Sequence, residues 1–599
     1  MSSNIIINDL VIRFANVNGT GSASANNMFA KAIFRMGIPV TPKNIFPSNI
    51  QGLPTWFEVR ANEKFYLGRR DGVDIMLAVN AQSMKTDIQN VREGGYFIYD
   101  STKNLNDEFI REDIHYIGIP MMSLCIENYT DPRQHLLMKN IVYLGALCAL
   151  LGMEAEVFET LIKEQFAKKE KLIPGNLKAI QLGMDYANEH YACPLPIRLE
   201  RRNLNGDKIL TDGNNACGLG ALFAGATVGS WYPITPSTSL MNAFEKWCNK
   251  YRIDPISGKK NFAVVQAEDE LAAIGMVLGA SWNGARAFTS TSGPGVSLMS
   301  EFLGLSYFAE IPAVLIDVQR TGPSTGMPTR TQQSDILAAA YASHGDTKHI
   351  LLFPSTPTEC FDMTVISFDL AEHFQTAVIM MSDLDLGMND HLSDPFNWDE
   401  SKIYNRGKVM SAKDLEEFKV WGRYLDIDGD GVPYRTIPGT HPTKGSFFTR
   451  GSSHDPMAIY TEDGDVYAEG MRRLERKWET IKSHVPECEI VKNDPKNKEA
   501  LLYFGTSSYS AAEAMDLLEE KGIHVNAVRV RSFPFTQQLI DFIDAHDTIY
   551  VIEQNRDSQL RSLLMIENDI DPKKLKKILQ FNGMPITAKY ILEKIESSK

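Results

Sequence analysis

Three times along this chain, short apolar runs of strand character alternate with helical stretches, a rhythm that commits it to parallel α/β sheets with helices packed on them. The first block opens with "NDLVIRFANV", a glycine turn and the helical "SANNMFAKAIFRMG", and continues through "DIMLAVN", "GGYFIYD" and "IHYIGIP". The second begins with "ILTDGNNACGLGALFAGATVGS", read as a small-residue helix, and carries the strands "NFAVVQA", "ARAFTSTS", "PAVLIDV" and "HILLFP". The third is "ALLYFGTSSYSAAEAMDLLEEKGI" with "HVNAVRVRSFPF" and "DTIYVIEQN". Between the second and third, from 386 to 460, periodicity gives way to Asp, Gly, Pro and Thr. That is too long for an ordinary loop and is expected to be an interface-forming or functional excursion, closed by the charged helix "EGMRRLERKWETIKSH". The expected division is an α/β domain over 1–195, a second over 206–385, the excursion with its closing helix over 386–485, and a C-terminal α/β domain over 498–599.

At 599 residues several domains are required. A formal charge of −14 with no basic run disfavours nucleic acid and anionic membranes as partners. The apolar run "IVYLGALCALLGM" falls short of the roughly 18 residues that a span needs, and the N-terminus lacks a secretory pattern, so a cytoplasmic location is expected. Seven scattered cysteines include no C-x-x-C pair, which argues against a zinc ribbon or an iron–sulfur cluster on this chain.

Several motifs have modest readings. In "VNGTGSAS", Gly19 and Gly21 with Ser24 trace a G-x-G pattern, but no acid lies between Asp9 and Glu58 to meet a ribose, so a plain strand–helix turn, or an anion site of another kind, is the better reading than a nicotinamide site. Asp426, Asp428 and Asp430 begin like a calcium loop, yet its twelfth position is Ile437 instead of glutamate, which favours a surface turn. Gly429-Asp430-Gly431 resembles the magnesium motif of thiamine diphosphate enzymes, but no asparagine follows before Asn493. This chain is therefore not expected to carry the diphosphate-binding half of such a site, and no metal ligands are assigned to it.

Three stretches carry more. "YPITPSTSL" (232–240) is a proline-bracketed turn in which Thr235 is held between Pro233 and Pro236. "VVQAEDELAAIGMVLGASWNGARAFTSTSGPGVSLMSEFLGLSYFAEIPAVLIDVQRTGPSTGMPTRTQQSDI" (264–336) places Glu268 and Glu270 before an apolar helix, a glycine turn at Ser292-Gly293-Pro294-Gly295, and Arg320 after a strand. "VIEQNRDSQLRSLL" covers 551–564. Together they resemble the α subunits of the 2-oxoglutarate:ferredoxin oxidoreductases, within the 2-oxoacid:ferredoxin oxidoreductase family, with residues 1 to about 195 similar to that family's γ domain fused at the N-terminus.

The resemblance covers nearly the whole chain and implies a multidomain α/β fold with a thiamine-diphosphate pyrimidine-binding-type domain and a C-terminal transketolase-C-like domain. It implies oxidative decarboxylation of 2-oxoglutarate with coenzyme A to succinyl-CoA, carbon dioxide and reduced ferredoxin. Pyruvate, branched-chain or aryl oxoacids are alternatives, as is a non-catalytic assembly subunit. Glu270 is the expected partner of the cofactor's pyrimidine N1′; counting from Gln266 would favour Glu268. The other acid is then an N-terminal helix charge.

By the same resemblance Thr235 meets the oxoacid head and Arg320 clamps its C1 carboxylate. Tyr232, Pro233, Ile234, Ser292, Gly293, Pro294 and Gly295 face the cofactor. Arg330 and His344 are candidates for the distal carboxylate. Thr506 and Ser507, at a helix start, and Asn555 are candidates for coenzyme A, with ordinary capping as the competing reading. A β subunit is implied to supply the magnesium–diphosphate site and a [4Fe-4S] cluster, with ferredoxin as acceptor and a dimer of αβ heterodimers as the assembly.

Overall fold

The computed structural model describes residues 5–17, 21–48, 54–106 and 109–598. It divides into two compact units, the first formed by the chain up to Leu210 with Asn389–Pro395 and Thr587–Lys589, the second by the remainder. Gly19 lies outside the described residues.

The first unit is built on a six-stranded sheet. Its strands are β1 (Asp9–Asn16), β2 (Val40–Ile45), β3 (Thr55–Asn62), β4 (Val73–Ala78), β5 (Val91–Asp100) and β6 (His115–Ile119), in the order β2-β3-β1-β4-β5-β6. The β1-β4-β5-β6 portion is parallel, as the alternation predicts. The apolar-run criterion misses β3, which pairs antiparallel with β1, and β2, which pairs antiparallel with β3. One face of these strands is charged: Arg13 stands opposite Glu58, and Glu58 opposite Lys43. Helix α1 (Ser22–Arg35) starts from Gly21, whose φ is +80°. Ser24 accepts a hydrogen bond from Gln165 at 2.8 Å. The apolar run at 141–153 lies mainly in the buried helix α2 (Pro132–Leu150), which crosses α3 (Ile173–His190) where a Cβ on Gly145 would fall 2.0 Å from the Ile180 carbonyl oxygen. No helix among the described residues is long and apolar enough to cross a membrane.

The second unit carries a seven-stranded sheet. From β7 (Val228–Trp231), β8 (Ala263–Gln266), β9 (Ala287–Thr291), β10 (Ala313–Gln319), β11 (Ile350–Leu352) and β12 (Ala377–Asp383) it builds the order β8-β7-β9-β10-β12-β11, all parallel. The short strand Ser532–Phe533 then closes the β11 edge antiparallel. β10 is buried along its whole length, as a parallel strand covered on both faces must be. The helices are α4 (Gly213–Phe223), α5 (Thr238–Tyr251), α6 (Glu270–Trp282), α7 (Gly293–Phe308), the single-turn α8 (Ile336–Ala340) and α9 (Pro357–Phe374). The small residues of α4 allow the close packing expected of them: a Cβ on Gly220 would lie 2.7 Å from the Phe361 carbonyl oxygen of α9.

The excursion has little regular structure, yet it is tied down. Gln375 Nε2 donates to the Pro433 carbonyl at 2.6 Å, and Met410 and Arg435 bond through their backbones. The aspartate-rich turn within it is internally satisfied: Asp426 accepts from the amides of Gly429 and Gly431, and Lys408 pairs with Asp428 and Asp430. The closing helix α10 (Gly464–Ile481) plugs two cations into the end of α7: Glu310, fully buried with φ +54°, is paired with Arg473 and with Lys477 at 2.9 Å. In the C-terminal region, β13 (Glu489–Lys492), β14 (Glu499–Phe504), β15 (Asn526–Val530), β16 (Thr548–Glu553) and β17 (Leu575–Leu579) form a sheet of order β13-β15-β14-β16-β17. It is flanked by α11 (Ser507–Glu520) and α12 (Gln559–Asn568).

Burial opposes ionisation of Glu310, but the charges of Arg473 and Lys477 outweigh it and bring the carboxyl down to about 2. Its folded value therefore lies below its unfolded one, and its contribution is present above about pH 4.5 and lost as pH falls toward 2. Glu310→Gln strands two buried cations and is expected to cost about 3–5 kcal/mol, read as a lowered thermal midpoint at neutral pH. The gap to the unsubstituted protein should narrow in acid.

Candidate active site

Four segments meet at the carboxyl ends of β7, β8, β9 and β10, where open parallel sheets gather ligands. β7 runs into Tyr232-Pro233-Ile234-Thr235. The turn is locked onto α5 because the Ile234 carbonyl accepts from the Ser237 and Thr238 amides, at 2.9 and 3.1 Å, and from both their hydroxyls. Asn214 of α4 holds the next peptide, donating to the Pro236 carbonyl and to Ser239, each at 2.8 Å. With those hydroxyls occupied, Thr235 is left with a partly exposed hydroxyl that bonds to no described residue.

After β8 the chain separates its acids by role. Asp269 caps α6 by accepting from the Ala272 amide at 2.7 Å. Glu268 is exposed, whereas Glu270, the first residue of the helix, is only 6% exposed. Glu270 forms no hydrogen bond to a described residue, a buried acid that faces the helix N-terminus and the charge of Arg320. The glycine turn explains how it is reached: a Cβ on Gly295 would lie 1.9 Å from Thr291 Oγ1 and 2.9 Å from Glu270 Cγ, so only glycine lets α7 begin against that acid. Ser292, at the N-cap of α7, is buried with an unpartnered hydroxyl. Tyr232 and Pro233 are exposed, and Ile234 and Pro294 partly so; Val265, Met276 and Leu298 add to the exposed apolar side chains of these segments.

Arg320 leaves the end of β10 and turns back on the threonine turn, donating through Nη1 to the Thr235 carbonyl at 2.6 Å and through Nη2 to Thr325 at 3.3 Å. Its Nε has no acceptor. Burial pushes the guanidinium's pKa down, and the charges of Asp335 and Glu270 push it back. The loop that follows returns to its start, since the Thr321 amide and hydroxyl both bond to the Arg330 carbonyl, at 2.9 and 3.1 Å. Arg330 is thereby anchored one residue from Arg320 in space, with its side-chain stem against Gly583. Burial lowers its pKa too.

Two groups of expected residues fall elsewhere. His344 is not brought to these segments: its side chain is 85% exposed and faces Glu301 at 3.8 Å, two turns along α7 from Gly293. Thr506, Ser507 and Asn555 are buried and already engaged, which leaves them little to offer coenzyme A. Thr506 donates to Asp383 at 2.5 Å, Gln554 donates to Thr506 and Ser507, and Asn555 donates to Glu553 and to the Gln333 carbonyl. They clamp the segment Thr331–Asp335, to which Gly583, Gln554 and Gln559 also bond. That segment delivers a residue that sequence reasoning missed, Asp335, to Asp317 in the middle of β10. The available signal was for its partner Asp317, a lone acid inside the apolar run "PAVLIDV".

Comparison with known proteins agrees with this architecture. Residues 219–399 match the family described as pyruvate flavodoxin/ferredoxin oxidoreductase, thiamine diP-bdg, and residues 11–186 match pyruvate ferredoxin/flavodoxin oxidoreductase. The chain is 30% identical to the α subunit of 2-oxoacid:ferredoxin oxidoreductase 2 of Aeropyrum pernix, over 96% of both chains. It is 28% identical to the 2-oxoglutarate oxidoreductase subunit KorA of Mycobacterium tuberculosis, over 96% of this chain and 89% of that one. Among solved structures it superposes on the 2-oxoglutarate:ferredoxin oxidoreductase of Magnetococcus marinus, with 2-oxoglutarate, coenzyme A and succinyl-CoA bound, at a TM-score of 0.88 and 28% identity, covering 98% of this chain and 99% of that one. With an α/β fold, a convergent acid, hydroxyl and guanidinium, and full-length relatives of one kind, this chain belongs to the 2-oxoacid:ferredoxin oxidoreductase family as an α subunit of its enzymes.

Proposed function

We propose that the chain acts on 2-oxoglutarate, as the α subunit of a complex that oxidatively decarboxylates it with coenzyme A and passes electrons to ferredoxin. The observation that carries this reading is the convergence of Glu270, Thr235 and Arg320 at the strand ends. 2-Oxoglutarate is favoured over other oxoacids because it appears in the names of the Mycobacterium relative and the Magnetococcus complex.

The residues fit the pyrimidine half of thiamine diphosphate: a buried carboxyl at Glu270 with no hydrogen bond to a described residue, a glycine cradle at Gly293 and Gly295, and an unpartnered hydroxyl at Ser292. Bound there, the cofactor supplies a carbon nucleophile for the 2-oxo carbon and takes up the electron pair released with carbon dioxide. Glu270 would hold a hydrogen bond at the pyrimidine N1′ and so govern where the aminopyrimidine keeps its protons. Thr235 would donate its free hydroxyl to the oxoacid head. Arg320, held at both terminal nitrogens by backbone carbonyls, would meet the C1 carboxylate with a guanidinium whose orientation is fixed beforehand. Arg330 is the proposed reader of the distal carboxylate, because its loop closes beside Arg320.

The exposed apolar residues Tyr232, Val265, Met276 and Leu298 suit the approach of a second subunit. To that partner we assign the diphosphate–magnesium site and a [4Fe-4S] cluster, in a dimer of αβ heterodimers located in the cytoplasm.

Glu270→Gln keeps the shape of the site and removes the charge. Turnover of the assembled complex should fall at least about 100-fold with thiamine diphosphate still retained, and full turnover would refute the cofactor role. Arg320→Met should raise the oxoacid KM about 10- to 150-fold, the range expected for loss of a charge-assisted pair, with a smaller change in kcat. An oxoacid panel should give the highest kcat/KM for 2-oxoglutarate, and Arg330→Met should erase its advantage over pyruvate. Preference for pyruvate in the unsubstituted complex would overturn the substrate assignment.

A further inference from the structure

Beneath the start of α7 lies a pair of carboxyls that the reaction as described does not use. Asp317 is fully buried in β10, and neither of its oxygens accepts a hydrogen bond from any donor among the described residues. Asp335, partly buried, lies within hydrogen-bond reach of it, and its Oδ2 is equally without a donor. The arrangement is built, not incidental. The Asp335 amide is held by Gln319 Oε1 at 3.1 Å, and a Cβ on Gly293 would fall 2.7 Å from both Asp335 oxygens. Glycine at the first position of α7 is thus what allows the helix to rest on this carboxyl.

Two carboxylates this close and this dry cannot both be ionised, so the pair must hold a proton between them. Burial raises both groups, Asp317 well above the ordinary range, with Asp335 adding to the rise, and Asp335 to about 6, where the Asp317 hydrogen bond and then Arg320 pull it back. Asp317 is accordingly the donor and Asp335 the ionised partner. The charged groups facing the pair are few. Arg320 approaches from the end of β10, with Glu270 of α6 acting on Arg320 in turn. α7 presents the backbone of Gly293, and α8 has no charged residue in its first turn. Asp383, opposite Gln319 in the sheet register, is occupied by Gln333, Thr506 and the Leu386 amide.

We propose that Asp317 and Asp335 form a one-proton positioning pair that compensates Arg320 while the oxoacid is absent and takes up a second proton when a substrate carboxylate binds there. The proposal rests on the reading of Arg320 as the carboxylate clamp. In the empty site the buried guanidinium is matched by the negative charge of the pair. An incoming carboxylate replaces that charge, and the pair, now beside an anion, binds a proton from solvent. No covalent or redox change is involved. The observable result is linkage: the oxoacid binds more tightly when the pair is already neutral, so affinity improves as pH falls through the titration of Asp335.

The test is the pH dependence of oxoacid KM in the assembled complex from about pH 5.5 to about pH 8.5. In the unsubstituted enzyme KM should rise with pH by about three- to ten-fold, more than kcat changes. Asp335→Asn should flatten that rise. Asp317→Leu, which removes the donor and leaves the Asp335 carboxylate less stabilised, should move the rise to higher pH; should Asp335→Asn not assemble, this shift decides the matter. A flat KM in the unsubstituted enzyme, a slope that survives Asp335→Asn, or no shift with Asp317→Leu would overturn the pair's role. Arg320→Met separates the two readings: an unchanged KM removes the clamp itself, whereas a raised KM together with an intact slope in Asp335→Asn removes only the pair.

Discussion

The interior strand Ala313–Gln319 has no solvent-facing side, and that constraint organises the second unit. A strand hydrogen-bonded on both edges and covered on both faces can carry polar groups only if each is met by something brought to it. Gln319 is met by the Ser382 carbonyl and the Asp335 amide, Asp317 by Asp335, and Arg320 by the carbonyls of the threonine turn and the following loop. Each of these partners comes from a different segment. Satisfying one strand therefore assembles the site: the residues that line it are where they are because β10 leaves its polar groups nowhere else to go.

The C-terminal sheet takes part in the same way. Thr331–Asp335 has no regular structure of its own, and its backbone groups are bonded to Gly583, Gln554, Asn555 and Gln559. A buried stretch of irregular chain is tolerable only when its amides and carbonyls find such partners. The residues from this region that sequence reasoning offered to coenzyme A are consumed in that support. What the sequence could not show was that the hydroxyls of Thr506 and Ser507 and the amide of Asn555 are bonded inward in the folded chain.

Much of the fold was legible. Apolar runs marked most of the parallel strands but not Val228–Trp231, whose run was read as the end of a helix, nor Ala377–Asp383 or Leu575–Leu579; the proline-bracketed turn, the acid pair and the arginine at a strand end lay in the order in which the fold uses them. The failures have physical causes. β2 and β3 were hidden because one of their faces carries the buried charges Lys43, Glu58 and Arg60, so no apolar run betrays them. The stretch "HVNAVRVRSFPF" was read as one strand, but Arg531 divides it and its halves enter different sheets. The choice between Glu268 and Glu270 turns on which acid the helix start buries, and a pairing such as Asp317 with Asp335 depends on tertiary closure, to which periodicity is blind.

That division at Arg531 reaches beyond strand counting. Two residues of the C-terminal region, Ser532 and Phe533, are the last rung of the sheet that carries the site, sealing the edge offered by Ile350–Leu352. The C-terminal region is thus no removable appendage. A chain shortened ahead of it would present an apolar, unpaired β edge to its neighbours, the kind of surface on which chains zip together, and its loss would first be seen as insolubility.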